Sequence, residues 1–138
     1  MVKTYEITLK TEGFCDMHNI TDIVREKLKD TGLKHGMCLI FIPGATGAVT
    51  TTEYEPGNIK DYKEFMERFI PSDKPYHHND TWHDGNGFSH LRSSIQKTSL
   101  CIPFKDKELI LGTWQNIVVI DFDNRRRTRR VIIQFQGE

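Results

Sequence analysis

The sequence predicts an α+β fold in one domain, residues 1–138, with a mostly antiparallel β-sheet packed against two main helices. Three observations lead to this prediction. Short segments rich in β-branched and aromatic residues outnumber the helical segments, the closing segments are joined by short turns, and only two stretches have a clear helical period. A chain of 138 residues is long enough to bury a core without a disulfide or a structural metal.

The first half of the chain contains three predicted strands and two predicted helices. The strand segments are β-branched, apolar or alternating, whereas the helical segments repeat apolar side chains at intervals of three and four. Gly32 after the first helix and Pro56-Gly57 before the second are turn signals. The strands cover residues 2–10, 36–42 and 48–54, and the helices cover residues 20–28 and 58–69.

The second half is predicted to consist of strands, apart from a polar segment before residue 92. Residues 99–104 and 108–111 are typical of two strands joined by a short charged turn. Residues 117–122 and 130–135 predict a hairpin around Asp123-Asn124-Arg125. Residues 91–96 favour neither helix nor strand.

Composition excludes several classes of partner. Lys and Arg together equal Asp and Glu at 19 each, so the net charge of zero gives no general attraction to nucleic acid. No apolar run approaches the roughly 18 residues of a membrane span, and the N-terminus lacks the apolar core of a signal peptide. Three widely separated cysteines without a CxxC pair favour free thiols in a reducing cytosol. We therefore expect a cytoplasmic protein without membrane or nucleic-acid partners.

The segment from Tyr76 to Arg92, which we call the histidine segment, is the most informative part of the chain. It contains four of the six histidines, interleaved with carboxylates and amides: His77, His78, His83 and His90. Imidazole and carboxylate groups are typical ligands of zinc and similar ions, although this spacing matches no known zinc motif. A solvated loop and a metal-free acid–base or phosphate site remain open. Asp84 is a candidate fourth ligand, orienting group or general base.

A second candidate segment is the four-residue stretch from Gly112 to Gln115. Gly112 permits close backbone approach, while Thr113 and Gln115 supply neutral hydrogen-bonding groups. Trp114 supplies a flat apolar wall that would suit a planar ring, although a tryptophan in a strand-rich domain is more often part of the core.

These motifs in this order resemble the YjbQ family of small bacterial and archaeal proteins, over essentially the whole chain. The most specific part is the combination of Gly-Thr-Trp-Gln with Ser-His-Leu. The matching segments are Glu53–Gly57, Tyr76-x-His78-Asn79, Ser89-His90-Leu91, Ser99-x-x-Ile102, Gly112–Ile117, Arg129–Ile132 and Gln136–Glu138.

The resemblance implies a compact α+β protein that forms homotrimers. It also implies a bound divalent metal in some members, with zinc the best guess. The family has been linked to a low thiamine-phosphate synthase activity, which joins a pyrimidine diphosphate to a thiazole phosphate.

The resemblance carries over unevenly to this chain. The family's loop histidines match His78 and His90, and its acidic position before the second helix matches Glu53. A third family histidine falls at Gly44, so that ligand is missing here. We expect His83 to replace it, because His83 lies in the same segment as the other two.

Two sets of basic residues have alternative interpretations. Arg92 follows Ser-His-Leu and would neutralise a phosphate beside the metal, or else form a surface salt bridge. Five arginines lie within residues 125–130. We expect them to form a charged hairpin that protects a sheet edge or pairs across subunits. An RNA-binding stripe is the other alternative, although no aromatic residue is interleaved and the net charge is zero.

The leading hypothesis is a metal-dependent enzyme acting on a small phosphorylated substrate, with thiamine-phosphate synthase as the named activity. The alternative is a non-catalytic trimeric module that binds a metal or a phosphorylated metabolite. The predicted roles are metal binding by His78, His83 and His90, catalysis by Asp84 and Glu53, and substrate binding by Arg92, Gly112, Thr113, Trp114 and Gln115.

Overall fold

The computed structural model describes all 138 residues and contains eight strands and four helices. Every pairing between strands is antiparallel, which confirms the predicted α+β fold with a mostly antiparallel sheet. The elements in chain order are β1 (Val2–Thr11), β2 (Asp16–Asn19), α1 (Thr21–Thr31), β3 (Gly36–Phe41), β4 (Gly47–Thr52), α2 (Pro56–Phe69), α3 (His77–Trp82), α4 (Gly87–Gln96), β5 (Ser99–Lys105), β6 (Glu108–Leu109), β7 (Asn116–Asp121) and β8 (Arg127–Gly137).

The strands form two sheets rather than one. A large sheet has the order β1-β8-β3-β5-β6, and a small sheet has the order β2-β7-β4. The predicted hairpin of β7 with β8 is wrong, because β7 pairs with β2 and β4 while β8 pairs with β1 and β3. Strand β7 is almost entirely buried on both faces, as expected of a central strand between two packed layers.

The main core lies between the two sheets and α1. One face of β3, β5 and β8 meets one face of β7 there, and α1 covers the cluster with Val24 and Leu28. A second, smaller cluster lies on the opposite face of the small sheet, where Met66 of α2 packs against Phe122 and its neighbours. The small sheet is therefore covered on both faces, by the main core on one face and by the cluster around Met66 on the other.

The outer face of the large sheet carries apolar side chains that no element covers. Met37, Leu39 and Phe41 project from the central strand β3 and are 54%, 38% and 41% exposed. Cys101 and Pro103 of β5 lie opposite Leu39 and Met37 on the same face and are also exposed. The outer face of the large sheet therefore exposes a contiguous group of apolar side chains, which is unusual for a face in contact with water alone.

The histidine segment is largely helical, which the sequence pattern did not predict. Its Asn, Asp, His and Gly residues have low helix propensity, so tertiary contacts decide its conformation. Helix α4 packs on β4, and the Ser93 hydroxyl donates to the Gly47 carbonyl at 2.6 Å. A Cβ atom at Gly87 would come within 2.6 Å of the Tyr76 Cβ atom, so the start of α4 requires glycine.

None of the four helices has the length and apolar character that crossing a membrane requires.

A candidate ligand site beside His78 and His90

A polar cavity of about 380 Å³ opens between α3, α4, β8 and the connection from β3 to β4, and we call it the histidine cavity. Its volume falls within the range of small-molecule sites. Its walls combine imidazole, amide, carboxylate, hydroxyl and guanidinium groups with only two apolar side chains. The lining residues are Gly44, Ala45, Thr46, His78, Trp82, Asp84, Asn86, His90, Arg127 and Arg129.

Two imidazoles lie against each other in this cavity. The ring centroids of His78, on α3, and His90, on α4, are 4.1 Å apart. Burial lowers the pKa of His90, and the neighbouring His78 lowers it further, because a second positive charge there would be unfavourable. The lowered pKa of His90 favours its neutral imidazole, which is the form that accepts a hydrogen bond or binds a metal ion.

Two buried polar atoms of the cavity residues have no hydrogen-bond partner within the protein. They are Nδ1 of His78 and Oδ1 of Asn86. The closest carboxylate oxygen to His78 Nδ1, Oδ1 of Asp84, is 3.7 Å away, which is too far for a hydrogen bond. Buried polar groups are normally paired, so these two require an ordered water or a ligand as a partner.

The floor of the cavity rests on a buried ion pair. Arg129 donates through Nε and Nη2 to the two carboxylate oxygens of Asp121, each at 2.8 Å, and both side chains are almost fully buried. The hydroxyl of Thr11 donates to the same carboxylate, and Arg129 also donates to the Thr46 hydroxyl. Because both carboxylate oxygens of Asp121 accept hydrogen bonds, the ion pair between Arg129 and Asp121 is held in one geometry.

The carboxylate of Asp123 holds two of the cavity-lining side chains, Arg127 and Asn86, in place. Arg127 donates to its Oδ2 from Nε at 2.8 Å, and the Asn86 amide donates to its Oδ1 at 3.2 Å. Burial alone would raise the pKa of Asp123, but these donors and the backbone N–H of Asn124 lower it below its ordinary value. The Asn86 amide nitrogen is committed to Asp123, whereas its side-chain oxygen has no hydrogen-bond partner within the protein.

The cavity wall contains a glycine at the position where the resemblance leads us to expect a histidine. Gly44 has a φ of +128°, in the region that side chains rarely adopt. A Cβ atom there would also lie 3.0 Å from Nη1 of Arg129. The backbone at this position is therefore adapted to glycine and would not accept an imidazole side chain without adjustment.

The structure brings together three of the predicted site residues, His78, His90 and Asp84, but not His83. His83 ends α3 in the left-handed conformation, with φ of +57°, and its side chain is exposed outside the cavity. No group of three or more His, Cys, Asp or Glu side chains in the chain is positioned to hold a metal ion. The expected set of three histidines is therefore not assembled.

Arg92 lies on the other side of α4 from the histidine cavity, contrary to the prediction that it contacts the anion there. Residues two apart on a helix point in roughly opposite directions, which separates Arg92 from His90. Its guanidinium is buried over the Phe88 ring at 4.9 Å and donates to the Ile70 carbonyl and to Glu67. These contacts describe a structural arginine.

The segment from Gly112 to Gln115, which we call the Trp114 turn, also lies away from the histidine cavity within the chain. It forms an exposed turn between β6 and β7, closed by a hydrogen bond from the Gly112 N–H to the Gln115 side chain at 2.7 Å. Glu53 is exposed in the loop after β4, where its carbonyl accepts from Asn58. Neither segment lines the cavity.

Several cavity residues were not predicted from the sequence. Arg127 and Arg129 belong to an arginine run that is typical of a solvated surface, yet their spacing of two puts both on one face of β8. Asp121 and Asp123 are also two residues apart, and they accept hydrogen bonds from Arg129 and Arg127 across the turn that joins β7 to β8. The residues that sequence reasoning missed are Thr46, Trp82, Asn86, Arg127 and Arg129.

Comparison with known proteins gives one consistent family. The family model described as UPF0047 protein YjbQ-like matches residues 5–138. A UPF0047 protein of Archaeoglobus fulgidus is 36% identical over 129 residues, which cover 94% of this chain and 98% of the relative. The UPF0047 protein YugU of Bacillus subtilis is 35% identical over 137 residues, which cover 99% of this chain and 100% of the relative.

Solved structures with the same fold cover the chain from end to end. A hypothetical protein from Aeropyrum pernix K1 superposes with a TM-score of 0.92 at 33% identity, covering 99% of both chains. A YbjQ-like protein of unknown function from Sulfolobus solfataricus P2 superposes with a TM-score of 0.90 at 28% identity, covering 100% of both chains.

Proposed function

This chain belongs to the YjbQ-like UPF0047 family, and we propose that it is a metal-dependent enzyme acting on a small phosphorylated molecule in the histidine cavity. The observation that carries the proposal is the pair of adjacent imidazoles in a polar cavity, with two unpaired polar atoms buried within the residues that line it. These two atoms are costly for folding unless an ordered water or a ligand pairs with them, because each unpaired buried group costs about 1–3 kcal/mol.

The residues of the cavity fit a divalent ion in part. His78 and His90 offer imidazole nitrogens, Asp84 lies beside His78, and the Asn86 oxygen is an unpaired acceptor. Imidazole and oxygen donors of this kind suit zinc and other borderline ions, with zinc our first choice. In this proposal His78 and His90 hold the ion through imidazole nitrogens, and neither Asp84 nor His83 is a ligand.

A phosphorylated ligand fits the remaining donors. The Arg127 guanidinium reaches the cavity with 34% of its side chain exposed, so it retains N–H groups that can face an anion. Arg129 contributes positive charge from behind, although Asp121 balances much of it. When bound, a divalent ion supplies charge neutralisation at phosphoryl oxygens and stabilises a departing phosphate group. Asp84, exposed beside His78, is the candidate to accept a proton or to orient the imidazole.

A non-catalytic role in a homotrimer is the second candidate, and the uncovered outer face of the large sheet favours it. Met37, Leu39 and Phe41 would be shielded from water by other copies of the chain. In that case the cavity would sense a metal or a phosphorylated metabolite without turning it over. The three unpaired cysteines fit either role in a reducing cytoplasm.

The metal is tested by elemental analysis of protein prepared without a histidine tag. We expect about one zinc per chain in the native protein and at least a tenfold loss of zinc affinity in His90→Ala. His83→Ala is the matched control, because His83 is an exposed histidine of the same segment that lies outside the cavity. A zinc affinity that falls in His83→Ala and not in His90→Ala would contradict the proposed ligands.

Catalysis is tested separately from binding. Purified protein, with and without added zinc, is assayed for pyrophosphate release from the pyrimidine diphosphate in the presence of the thiazole phosphate. Release that disappears in His90→Ala supports a thiamine-phosphate synthase activity. Zinc-loaded protein that binds inorganic pyrophosphate and releases none from the diphosphate would support the non-catalytic role instead.

A further inference from the structure

A second cavity, of about 260 Å³, lies on the other side of α4 from the histidine cavity, between α2 and the turn that joins β1 to β2. We call it the Arg92 cavity. It is smaller than the roughly 300–1,000 Å³ of sites for drug-sized ligands, so its size suits a small metabolite. Four charged side chains and two apolar ones form its wall. The lining residues are Phe14, Cys15, Lys63, Glu64, Glu67 and Arg92.

One nitrogen of the Arg92 guanidinium has no partner within the protein. Nε and Nη2 donate to the Ile70 carbonyl, and Nη2 also donates to Glu67, whereas Nη1 donates to no acceptor. Arg92 is only 2% exposed. The fully buried side-chain atoms that lack a partner belong to His78 and Asn86, so Nη1 of Arg92 still reaches open space. The Arg92 cavity supplies that space, and a nearly buried cation therefore has free N–H groups there.

The charges around the Arg92 cavity are balanced but incompletely paired. Glu67 pairs with Arg92 at 2.9 Å, while Lys63 and Glu64 of α2 form no ion pair. Burial raises the pKa of the Cys15 thiol to about 11, although Arg92 and Lys63 act in the opposite direction, so the thiol adds no charge near pH 7. The two cations and two anions of the wall sum to zero. One cation, one anion and the Nη1 end of Arg92 are left available to a ligand.

The apolar side of the Arg92 cavity is a turn with an unusual backbone. Phe14 and Cys15 have φ of +52° and +66°, in the left-handed region that residues other than glycine rarely adopt. The Phe14 N–H donates to the Asp123 carbonyl at 2.7 Å, and the Phe14 ring stacks on Phe88 with centroids 6.5 Å apart. The Phe14 side chain is still 61% exposed, so this turn presents an aromatic surface at the rim of the cavity.

We propose that the Arg92 cavity binds a small zwitterion, an α-amino acid with an apolar side chain. Its carboxylate accepts hydrogen bonds from Nη1 of Arg92 and from Lys63. Its ammonium lies toward Glu64, and its side chain lies against the Phe14 ring. A simple anion fits less well, because Glu64 and Glu67 would repel it. The Arg92 cavity shares no residue with the histidine cavity, so this site goes beyond the proposed function and does not depend on it.

Three probes with the same carbon skeleton test the two charged contacts. Free leucine has both charged groups, isocaproate has only the carboxylate, and isoamylamine has only the ammonium. We expect leucine to bind the full-length protein about tenfold more tightly than either of the other two, because each of them lacks one charge-assisted contact. Calorimetric titration measures the three affinities.

Two variants of α2 test the contacts one at a time. Lys63→Gln should weaken leucine and isocaproate about threefold and leave isoamylamine unchanged, since both partners are exposed at the rim. Glu64→Gln should weaken leucine and isoamylamine by a similar factor, without weakening isocaproate. Lys60→Gln and Asp61→Asn are the matched controls, because Lys60 and Asp61 are exposed one turn earlier on α2 and lie outside the cavity. Circular dichroism checks that each variant is folded.

An NMR titration locates the bound leucine. The amide resonances of Phe14 and Cys15 should shift with the affinity found by calorimetry, and those of His78 should not. His90→Ala should bind leucine as the native protein does, whether or not it has lost zinc. The failure of the proposed metal site and the failure of the amino-acid site are therefore distinguishable.

Three outcomes would overturn the inference. Failure of leucine to bind, or resonance shifts centred on the histidine cavity, would remove the site. Equal affinities for leucine and isocaproate would leave an anion site and exclude recognition of a zwitterion. Affinities that are unchanged in both Lys63→Gln and Glu64→Gln, or that fall equally in the Lys60→Gln and Asp61→Asn controls, would contradict the assigned contacts.

Discussion

The histidine segment and the Trp114 turn each present a tryptophan with the same exposure, yet their surroundings differ. Trp82 stands at a polar cavity with two unpaired buried polar atoms. Trp114 stands on a turn in which Gln115 bonds Gly112 through both its backbone and its side chain, and the Gln115 amide also donates to the Thr51 hydroxyl at 3.5 Å. Beside that turn lies a groove of about 240 Å³ with apolar side chains from β5 and from the segment after β6.

The histidine segment and the Trp114 turn therefore differ in their buried polar groups and not in their residue types. Both segments contain glycine, polar side chains and tryptophan, so composition does not separate them. Unsatisfied buried polar groups do separate them, because an ordered water or a ligand must compensate their desolvation. The Trp114 turn contains no buried polar atom without a partner.

The largest expected loss of stability follows from breaking the buried ion pair beneath the histidine cavity. Arg129→Leu should lower the free energy of unfolding by about 3–5 kcal/mol, because it leaves Asp121 charged and buried without its partner. Arg130→Leu is the control, since Arg130 is exposed on the opposite face of β8 and pairs with Glu6 at the surface. Its cost should stay below about 1 kcal/mol. Urea denaturation of both variants measures the difference, and equal costs would contradict the assigned role of the pair.

The next effect concerns the glycine in the cavity wall. Gly44→Ala should destabilise the protein by about 1–3 kcal/mol, because its φ of +128° is unfavourable for any side chain. Gly112→Ala in the Trp114 turn, where φ is not positive, should cost less. Thermal unfolding of the two variants compares the sites, and a stable Gly44→Ala protein would show that the cavity wall can readjust.

A smaller effect is expected from pH. The folded-state pKa of Asp123 lies below its ordinary value of 3.8, so its ionised form stabilises the fold above that pH. This stabilisation should be lost as the pH falls through the folded-state pKa. Asp123→Asn should therefore be less stable than the native protein at pH 6 and show a weaker loss of stability on acidification. Urea midpoints between pH 6 and pH 2.5 measure this, and parallel curves for the two proteins would contradict the assignment.

The smallest effect is expected at the Trp114 turn. Gln115→Ala removes an exposed hydrogen bond and should cost at most about 1 kcal/mol. It should leave the affinity for zinc and inorganic pyrophosphate unchanged, as measured by calorimetry. A loss of pyrophosphate affinity in this variant would break the comparison, because it would connect the Trp114 turn to the histidine cavity.

Local patterns predicted most of the fold. Alternation in residues 2–10 and helical spacing in residues 20–28 correspond to β1 and α1, because burial on one face imposes the period on the sequence. Helices α3 and α4 were not predicted, since contacts with β4 and Asn79 stabilise residues of low helix propensity. The hairpin of β7 and β8 was wrong because turn residues report a change of direction and not which sheet the chain enters next.

The candidate site was predicted only in part, for a related reason. The sequence by itself determined the fold class and the family, because these depend on residue types and their local order. The tertiary structure decided that His78 meets His90 while His83 turns away. It also decided that Arg127 and Arg129 reach the cavity while Arg92 does not. Contacts of this kind depend on which faces of the helices and strands pack together in the folded chain. The local sequence around a residue does not specify which distant residues will contact it.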